Sequence, residues 1–363
     1  MIILITGGAG FIGSHLSRAL TLRGHKVRIL DAFISQVHGS GPRRISDEIE
    51  SLQGDIRDPD MLPAALKGVD AVIHLCAEVG VGQSMYEIDR YVDVNERGTA
   101  ILLKALSRRP VERLIVASSM SIYGEGLYKT RQGEPVETAT RDGQKSWDPV
   151  DMKGESLIPV PTPEWKRPAL ASVYAITKYC QERLCLSVAA AYGMRAVALR
   201  LFNVYGPGQA LSNPYTGVLA IFAARLLNGQ RPLVFEDGGQ RRDFVHVEDV
   251  VHAFILALEH PEVNGEVFNI GSGRSCTVAQ VARLLARHLG RSELEPEVLH
   301  KARVGDIRHC FSDLQKARER LGYVPRYGLE EGVAALGPWL AGQSATDGSQ
   351  IARRELEERG LVA

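Results

Sequence analysis

The sequence predicts an α/β protein built on a doubly wound parallel sheet, with a smaller α/β domain in its C-terminal half. Two observations predict this fold. Short β-branched, apolar runs alternate with helical segments through residues 1–200, and such alternation is typical of a parallel sheet covered by helices. A glycine-rich turn also separates the first strand from the first helix. In sheets of this kind, ligands bind beyond the carboxyl ends of the strands.

The first strand, at 2–6, runs directly into the glycine turn at 7–13. A helix follows to residue 20, and a second strand at 26–30 closes with Asp31. A strand, a glycine turn, a helix and a strand in about thirty residues form the dinucleotide-binding unit of a Rossmann fold. We expect the cofactor diphosphate at the helix N-terminus, where amide N–H groups favour negative charge. The candidate cofactor contacts of the turn are Gly7, Gly10, Phe11, Ile12 and Gly13.

Asp31 is placed to accept hydrogen bonds from the adenosine ribose hydroxyls. A carboxylate there repels the additional phosphate of NADP, so the sequence favours NAD. Arg43 and Arg44, in the loop that follows, could contact cofactor phosphate. The next strand is followed by Asp55 and Ile56, near the expected adenine.

The predicted sheet continues with strands at 71–77, 114–119 and 196–202 and helices at 61–67 and 91–107. Ala77 and Ser119 end two of these strands, so we expect both at the ligand-binding edge of the sheet.

Tyr174 and Lys178 are four residues apart in a segment rich in helix formers. That spacing places both side chains on one helix face, one turn apart. An ammonium beside a phenol lowers the phenol pKa, so Tyr174 could exchange a proton near neutral pH. The helix is predicted from apolar residues that recur every fourth position: Ile176, Cys180, Leu184 and Val188.

Composition argues against several classes of protein. In 363 residues, 43 Lys and Arg balance 43 Asp and Glu, which removes the electrostatic case for binding nucleic acid or a membrane surface. We expect no signal peptide and no transmembrane helix, because no apolar run is long enough. The five cysteines are scattered without a CxxC pair, so we expect reduced thiols in a cytoplasmic protein and no metal site.

Taken together, the motifs resemble those of extended short-chain dehydrogenases/reductases, in the NAD-dependent nucleotide-sugar epimerase/dehydratase family similar to UDP-galactose 4-epimerase. The matching stretches are 6–13, 54–58, 74–77, 93–95, 98–99, 118–124, 174–178, 200–208, 241–249 and 303–306. The resemblance implies that Tyr174 is the catalytic acid/base and that Lys178 holds the nicotinamide ribose. It implies that Ser119 bonds the reacting sugar hydroxyl and that Asn95 is structural or close to the cofactor.

The same resemblance implies a substrate site in the second half of the chain. Asn203 would bond the diphosphate or sugar, Arg242 and Arg303 would bind the diphosphate, and Cys310 would bound the hexose pocket. We predict a Rossmann domain at 1–200 with a structureless insertion at about 125–172. A mainly substrate-binding domain follows at 201–340, with some segments returning to the sheet, and a peripheral polar tail at 341–363.

Met120 and Ser121 occupy the positions where the dehydratases of this family carry an Asp-Glu pair. Neither side chain is a carboxylic acid, which disfavours water elimination. The leading interpretation is an NAD-dependent 4-epimerase of a UDP- or dTDP-hexose that works through a transient 4-keto sugar, as a homodimer. The alternatives are a nucleotide-sugar dehydrogenase or decarboxylase, or a non-catalytic NAD-binding regulator.

Overall fold

The computed structural model describes residues 1–39, 45–141, 147–215 and 217–362. Its strands are β1 (Ile2–Thr6), β2 (Lys26–Asp31), β3 (Glu50–Gln53), β4 (Ala71–His74), β5 (Arg113–Ser119), β6 (Leu127–Lys129), β7 (Pro135–Val136), β8 (Ile158–Val160), β9 (Arg195–Leu201), β10 (Asn203–Tyr205), β11 (Leu233–Val234), β12 (Arg241–His246), β13 (Glu266–Ile270), β14 (Ser275–Thr277), β15 (Glu297–Val298) and β16 (His309–Cys310). Its α-helices are α1 (Phe11–Leu22), α2 (Ser35–His38), α3 (Leu62–Ala65), α4 (Val81–Ser84), α5 (Ile88–Val92), α6 (Thr99–Arg108), α7 (Val173–Ala191), α8 (Val218–Leu227), α9 (Val247–Glu259), α10 (Val278–His288), α11 (Leu329–Ala341) and α12 (Ser349–Glu358). Short 3₁₀ turns lie at Pro59–Met61 and Met120–Tyr123, and π turns at Asp93–Gly98 and Ala317–Leu321.

The parallel sheet expected from the sequence is present. Seven strands pair in parallel in the order β13-β9-β5-β4-β1-β2-β3. β1 lies between β2 and β4, so that Thr6 is opposite Leu30 on one side and His74 on the other. The chain therefore changes its direction across the sheet at β1, and a ligand crevice is expected beyond the ends of β1 and β4. The predicted Rossmann-type α/β fold is confirmed.

Helices cover both faces of this sheet. On one face, α1 and α9 bury residues such as Leu16 and Phe254 against the strands. On the other, α6 and α7 bury residues such as Leu106 and Cys185. Because both faces are covered, β4 and β5 are buried along their whole length, which accounts for their continuous apolar runs.

The helix predicted from the spacing of apolar residues is present as α7. Of those residues, Ile176 is 47% exposed, whereas Leu184 and Val188 pack against the core. The polar side chains of Lys178, Gln181 and Glu182 are buried. The buried polar residues belong to the site described below. The helix predicted at 91–107 is divided, into α5, a π turn and α6.

The second half of the chain forms smaller sheets beside the main one. β12 pairs with β10, β14 and β16, and β11 pairs with β15. Residues 203–205 form β10, for which the edge of β12 supplies the backbone partners. β13 returns to the main sheet. The domain boundaries stay a prediction.

The insertion was wrongly predicted to be structureless. β6 pairs with β7 and β8 to form a small antiparallel sheet. Arg141, in the insertion, contacts the second half of the chain: its Nη1 lies 2.5 Å from Oε1 of the buried Glu236 and forms an ion pair with it. Within the described ranges, no helix combines the length and apolar character needed to cross a membrane.

Candidate active site

Two adjoining cavities open beyond the carboxyl edge of the main sheet. The first cavity, of ≈350 Å³, is lined by the glycine turn and by the ends of β2, β4 and β5. The second cavity, of ≈270 Å³, lies between α4, α8, α12 and the stretch at 303–307. Gly217 lines both cavities. Two ligands, one in each cavity, could therefore bring their reacting groups together where the cavities meet.

The glycine turn leaves no room for side chains. A Cβ atom on Gly7, which has φ +69°, would lie 2.9 Å from the backbone N of Cys76. A Cβ atom on Gly13 would lie 2.6 Å from the carbonyl oxygen of Gly7. The turn can thus bring its backbone close to a ligand at the start of α1, and Gly7, Gly10, Phe11, Ile12 and Gly13 all line the first cavity. This cradle fits a diphosphate.

Acidic groups lie at the expected adenosine end of the first cavity. Asp31 accepts hydrogen bonds from the backbone N–H groups of Ala9 and Phe33, at 3.0 and 2.9 Å, and is 8% exposed. These bonds fix its carboxylate beside the glycine turn. A hydrogen bond from Arg57 holds the pKa of Asp55 below its ordinary value. Asp31, Asp55, Ile56 and Ala77 line this cavity. Arg43 and Arg44 lie outside the described residues.

Ser119, Tyr174 and Lys178 all line the first cavity, next to the second. β5 ends at Ser119, whose Oγ accepts a 2.9 Å hydrogen bond from the Ser121 hydroxyl. The side chain of Ser172 caps the N-terminus of α7, and the Oγ of Ser84 accepts a 3.0 Å bond from the backbone N–H of Tyr174. The fold therefore brings the three predicted catalytic side chains to one place.

The protonation states differ from the expectation that Lys178 lowers the pKa of Tyr174. Burial raises the pKa of Tyr174, and a hydrogen bond with Ser119 offsets this rise only in part. Burial also lowers the pKa of Lys178, to about 8. Its ammonium donates to the backbone oxygen of Ala117 at 2.6 Å and to the amide oxygen of Gln181. At neutral pH, Lys178 is still mainly charged.

Gln181 was missed by the sequence analysis. Its Nε2 donates to the hydroxyl of Thr99 at 2.9 Å and lies 2.9 Å from Nε2 of His74. His74 is fully buried, which lowers its pKa to about 3, so the ring is neutral. Gln181 thus joins Lys178 to a neutral polar network beneath the first cavity. The available signal was its position three residues after Lys178, on the same helix face.

Asn95 was predicted to be either structural or a cofactor contact, and its surroundings support the structural alternative. Its side chain is fully buried and does not line either cavity. Its amide accepts from the backbone N–H of Glu78 at 2.7 Å and donates to the Glu78 carbonyl and to Thr177. Because both ends of the amide are used, Asn95 fixes the turn after Ala77 rather than contacting a ligand.

The second cavity contains the predicted substrate residues Asn203, Arg242 and Arg303. The buried side-chain oxygen of Asn203 has no hydrogen-bond partner among the described residues. Arg242 and Arg303 lie 3.4 and 2.9 Å from the same carboxylate, that of Asp306. Although burial raises the pKa of this carboxyl, the two arginines hold it below its ordinary value. One negative charge shared by two guanidinium groups leaves an excess positive charge, which suits an anion.

Cys310 lies behind the second cavity rather than on its lining, which corrects the expectation that it bounds the hexose pocket. It is 1% exposed and packs with Met120, Tyr123, Phe202 and Ile307. Met120 and Ser121, by contrast, line the cavity. Residues at 349–356, in the tail predicted to be peripheral, also line it. Among the described residues, no cluster of three His, Cys, Asp or Glu side chains could hold a metal ion.

The comparison with known families agrees with this geometry. The family model for the NAD dependent epimerase/dehydratase family matches residues 3–146 and 153–271. The chain belongs to that family. It is 35% identical over 347 residues to a dTDP-L-rhamnose 4-epimerase of Burkholderia thailandensis, an alignment that covers 93% of this chain and 94% of the relative. Family relatives also include a decarboxylase and a dehydratase of nucleotide sugars.

Solved structures give the same result. The UDP-glucose 4-epimerase of Thermotoga maritima with UDP-glucose has a TM-score of 0.78 and 33% identity, over 94% of this chain and 99% of that one. The UDP-glucose 4-epimerase of Thermus thermophilus with NAD has a TM-score of 0.74 and 30% identity, over the same shares. NAD is the cofactor of this family. The glycine cradle, the carboxylate of Asp31 and the ammonium of Lys178 fit its diphosphate, adenosine ribose and nicotinamide ribose.

Proposed function

We propose that this protein is an NAD-dependent nucleotide-sugar 4-epimerase that acts on a UDP- or dTDP-hexose through a transient 4-keto sugar. The observation that carries the proposal is the group Ser119, Tyr174 and Lys178 at the meeting of the two cavities. Beside it, Met120 and Ser121 line the second cavity and offer no carboxylic acid for water elimination.

Each side chain has a distinct part in this reaction. Tyr174, in its phenolate form, takes the proton of the carbon-4 hydroxyl, and the hydrogen bond with Ser119 offsets part of the rise that burial causes in the Tyr174 pKa. Lys178 remains mainly an ammonium at neutral pH, since its pKa is about 8, and its part is to hold the nicotinamide ribose. NAD, when bound, supplies the acceptor and then the donor of the carbon-4 hydride. Tyr174 returns the proton after the keto sugar has rotated in the cavity and presented its opposite face to the hydride.

The substrate has to stay bound while its sugar turns. Arg242 and Arg303, with their shared excess of positive charge, would hold the diphosphate. The Arg303 guanidinium is 4.6 Å from the centre of the Phe235 ring, which also lines the second cavity and could lie beside the base. The same chemistry would serve a dehydrogenase or a sugar-acid decarboxylase. A non-catalytic regulator would need none of the three catalytic side chains.

The test is to incubate the purified protein with UDP- and dTDP-hexoses without added cofactor. Products are followed by chromatography and NADH by absorbance. A new carbon-4 epimer without net NADH is the expected result. Stoichiometric NADH or release of CO₂ would instead identify a dehydrogenase or decarboxylase, and bound NAD without any conversion would favour the regulator.

We also propose a homodimer. Ile88, Val92 and Ile176 are exposed apolar side chains on α5 and α7, which pack together, and exposed apolar residues of this kind favour an interface. Sedimentation of the wild type and of Ile176→Glu would test this, because the charge should release monomers. The cytoplasmic location also stays a prediction, supported by the free thiols of the described chain.

A further inference from the structure

Helix α12 forms one wall of the second cavity. Ala352 and Leu356 are each 7% exposed, and they line the cavity together with Arg353. Leu356 reaches the first turn of α4, since a Cβ atom on Gly82 would lie 3.4 Å from its Cδ1. The polar composition of the tail concealed this, because only one face of the helix is apolar.

Contacts before, within and beyond the helix hold α12 in this position. Before the helix, Asp347 forms a buried 2.8 Å ion pair with Arg225 of α8. Within it, Glu355 accepts hydrogen bonds from the hydroxyls of Tyr86 and Tyr215, at 2.7 and 2.6 Å.

Beyond the helix, the tail pairs with the stretch that carries Arg303. The carbonyl oxygen of Leu361 accepts a 2.9 Å bond from the backbone N–H of Val304, and Val362 forms an antiparallel bridge with Arg303 itself. The tail is therefore built into the wall that also presents one of the proposed diphosphate arginines.

Arg353 is the cation that α12 presents to the cavity. Its Nε is buried and has no hydrogen-bond partner among the described residues. Glu357 is 3.6 Å away, beyond hydrogen-bond distance, and that carboxylate is also paired with Lys301 at 2.9 Å. The Arg353 side chain as a whole is 35% exposed, so its remaining guanidinium N–H groups are the ones that can donate to a ligand oxygen in the cavity.

The charges around the cavity match a diphosphate. Arg242 and Arg303 share the carboxylate of Asp306, which leaves one excess positive charge on that wall. On the α12 side, Arg353 lines the cavity; Glu357 and Lys301 pair behind it, and the three groups together carry one more excess positive charge. A diphosphate linked to a nucleoside and a sugar carries two negative charges, so both walls together can neutralise it.

We propose that α12 belongs to the substrate site and that Arg353 binds the diphosphate of the nucleotide sugar, opposite Arg242 and Arg303. This inference rests on the proposed function for its substrate class. It assigns a binding residue to the tail and makes the tail necessary for substrate affinity rather than for cofactor affinity, because none of the described residues after Gly217 lines the first cavity.

The experiment measures the dissociation constants of UDP, dTDP and the matching nucleosides by calorimetry on the NAD-bound protein. Arg353→Ala and Arg353→Gln should weaken UDP or dTDP binding roughly 10- to 100-fold, the effect of losing a charge-assisted hydrogen bond. Uridine and thymidine, which lack phosphate, should bind as they do to the wild type. Arg354→Ala is the matched control, because Arg354 is the exposed neighbour on the same helix. Its loss should change neither the nucleotide affinity nor the nucleoside affinity.

Two results would overturn the inference. Unchanged UDP and dTDP affinity in both Arg353 variants would show that Arg353 does not bind the diphosphate. An equal loss of nucleoside and nucleotide affinity, with a lowered melting temperature, would make its role structural. Because the measurement needs no turnover, a protein that binds UDP through Arg353 but epimerises no sugar would refute the proposed reaction alone.

Discussion

The two cavities differ in how the chain builds them. In the first, many of the lining residues follow strand ends: the glycine turn follows β1, Asp31 ends β2 and Ser119 ends β5. In the second, Met120 and Ser121 also follow a strand end, but much of the other lining comes from α4, β10, α8, β12, the stretch at 303–307 and α12. These pieces are brought together by packing between small sheets and helices. A parallel sheet therefore fixes its ligand edge locally, whereas the second cavity depends on long-range contacts.

The largest effect should come from removing the acid/base at the junction. Tyr174→Phe should lower kcat roughly 100- to 10,000-fold, as expected for loss of general acid–base catalysis. NAD should stay bound, since the phenyl ring keeps its edge-to-face contact with Tyr91. Turnover assays with the NAD content of the purified variant measure both. Tyr192→Phe, at a half-exposed position, is the control, and near-wild-type activity of Tyr174→Phe would refute the assignment.

The next effect separates the two cavities. Gly13→Ala places a methyl group 2.6 Å from the Gly7 carbonyl oxygen, and overpacking of this kind should weaken NAD binding roughly 10- to 100-fold. UDP affinity should change much less, because Gly13 does not line the second cavity. Gly337→Ala, with no atom within 4 Å of its added Cβ, is the matched control. Equal losses of NAD affinity and UDP affinity would mean that a change in the glycine turn also disturbs the second cavity.

A smaller effect concerns the protonation of Lys178. Its pKa of about 8 predicts that activity falls as the pH rises through that value, because the ammonium is lost. Gln181→Glu places a carboxylate at the atom that now accepts from the ammonium, which favours the charged form and raises the pKa. The alkaline limb of kcat/KM should therefore move to higher pH. Gln181→Leu should not move it upward, and an identical profile in all three proteins would dissociate this limb from Lys178.

These differences explain what the sequence could predict. The glycine turn, Asp31, Tyr174 and Lys178 follow short-range rules about strand ends and helix faces, and the structure brings them together as expected. The role of Asn95 stayed open and that of Gln181 was missed, because their partners, Glu78 and His74, lie on other elements. The role of the tail depends on contacts with residues more than a hundred positions away, such as Arg225 and Tyr86. No local pattern encodes such a contact.

Cys310 gives the smallest expected effect and the sharpest test of the second cavity. The family resemblance implied that it bounds the hexose pocket. In the structure it is buried behind Met120 and Phe202, so Cys310→Ala should cost about 1 kcal/mol of stability, as for a small core truncation. The ratio of kcat/KM between plain and N-acetylated hexoses should not change.

Chemical denaturation and paired substrate assays measure these two quantities. Cys276→Ala, a partly buried cysteine on another strand, controls for the loss of a thiol. If Cys310→Ala changed the preference between the two hexoses without loss of stability, the sugar would have to reach the layer behind Met120. The second cavity would then extend deeper into the small sheets than its present lining, and residues of that buried layer would select the sugar.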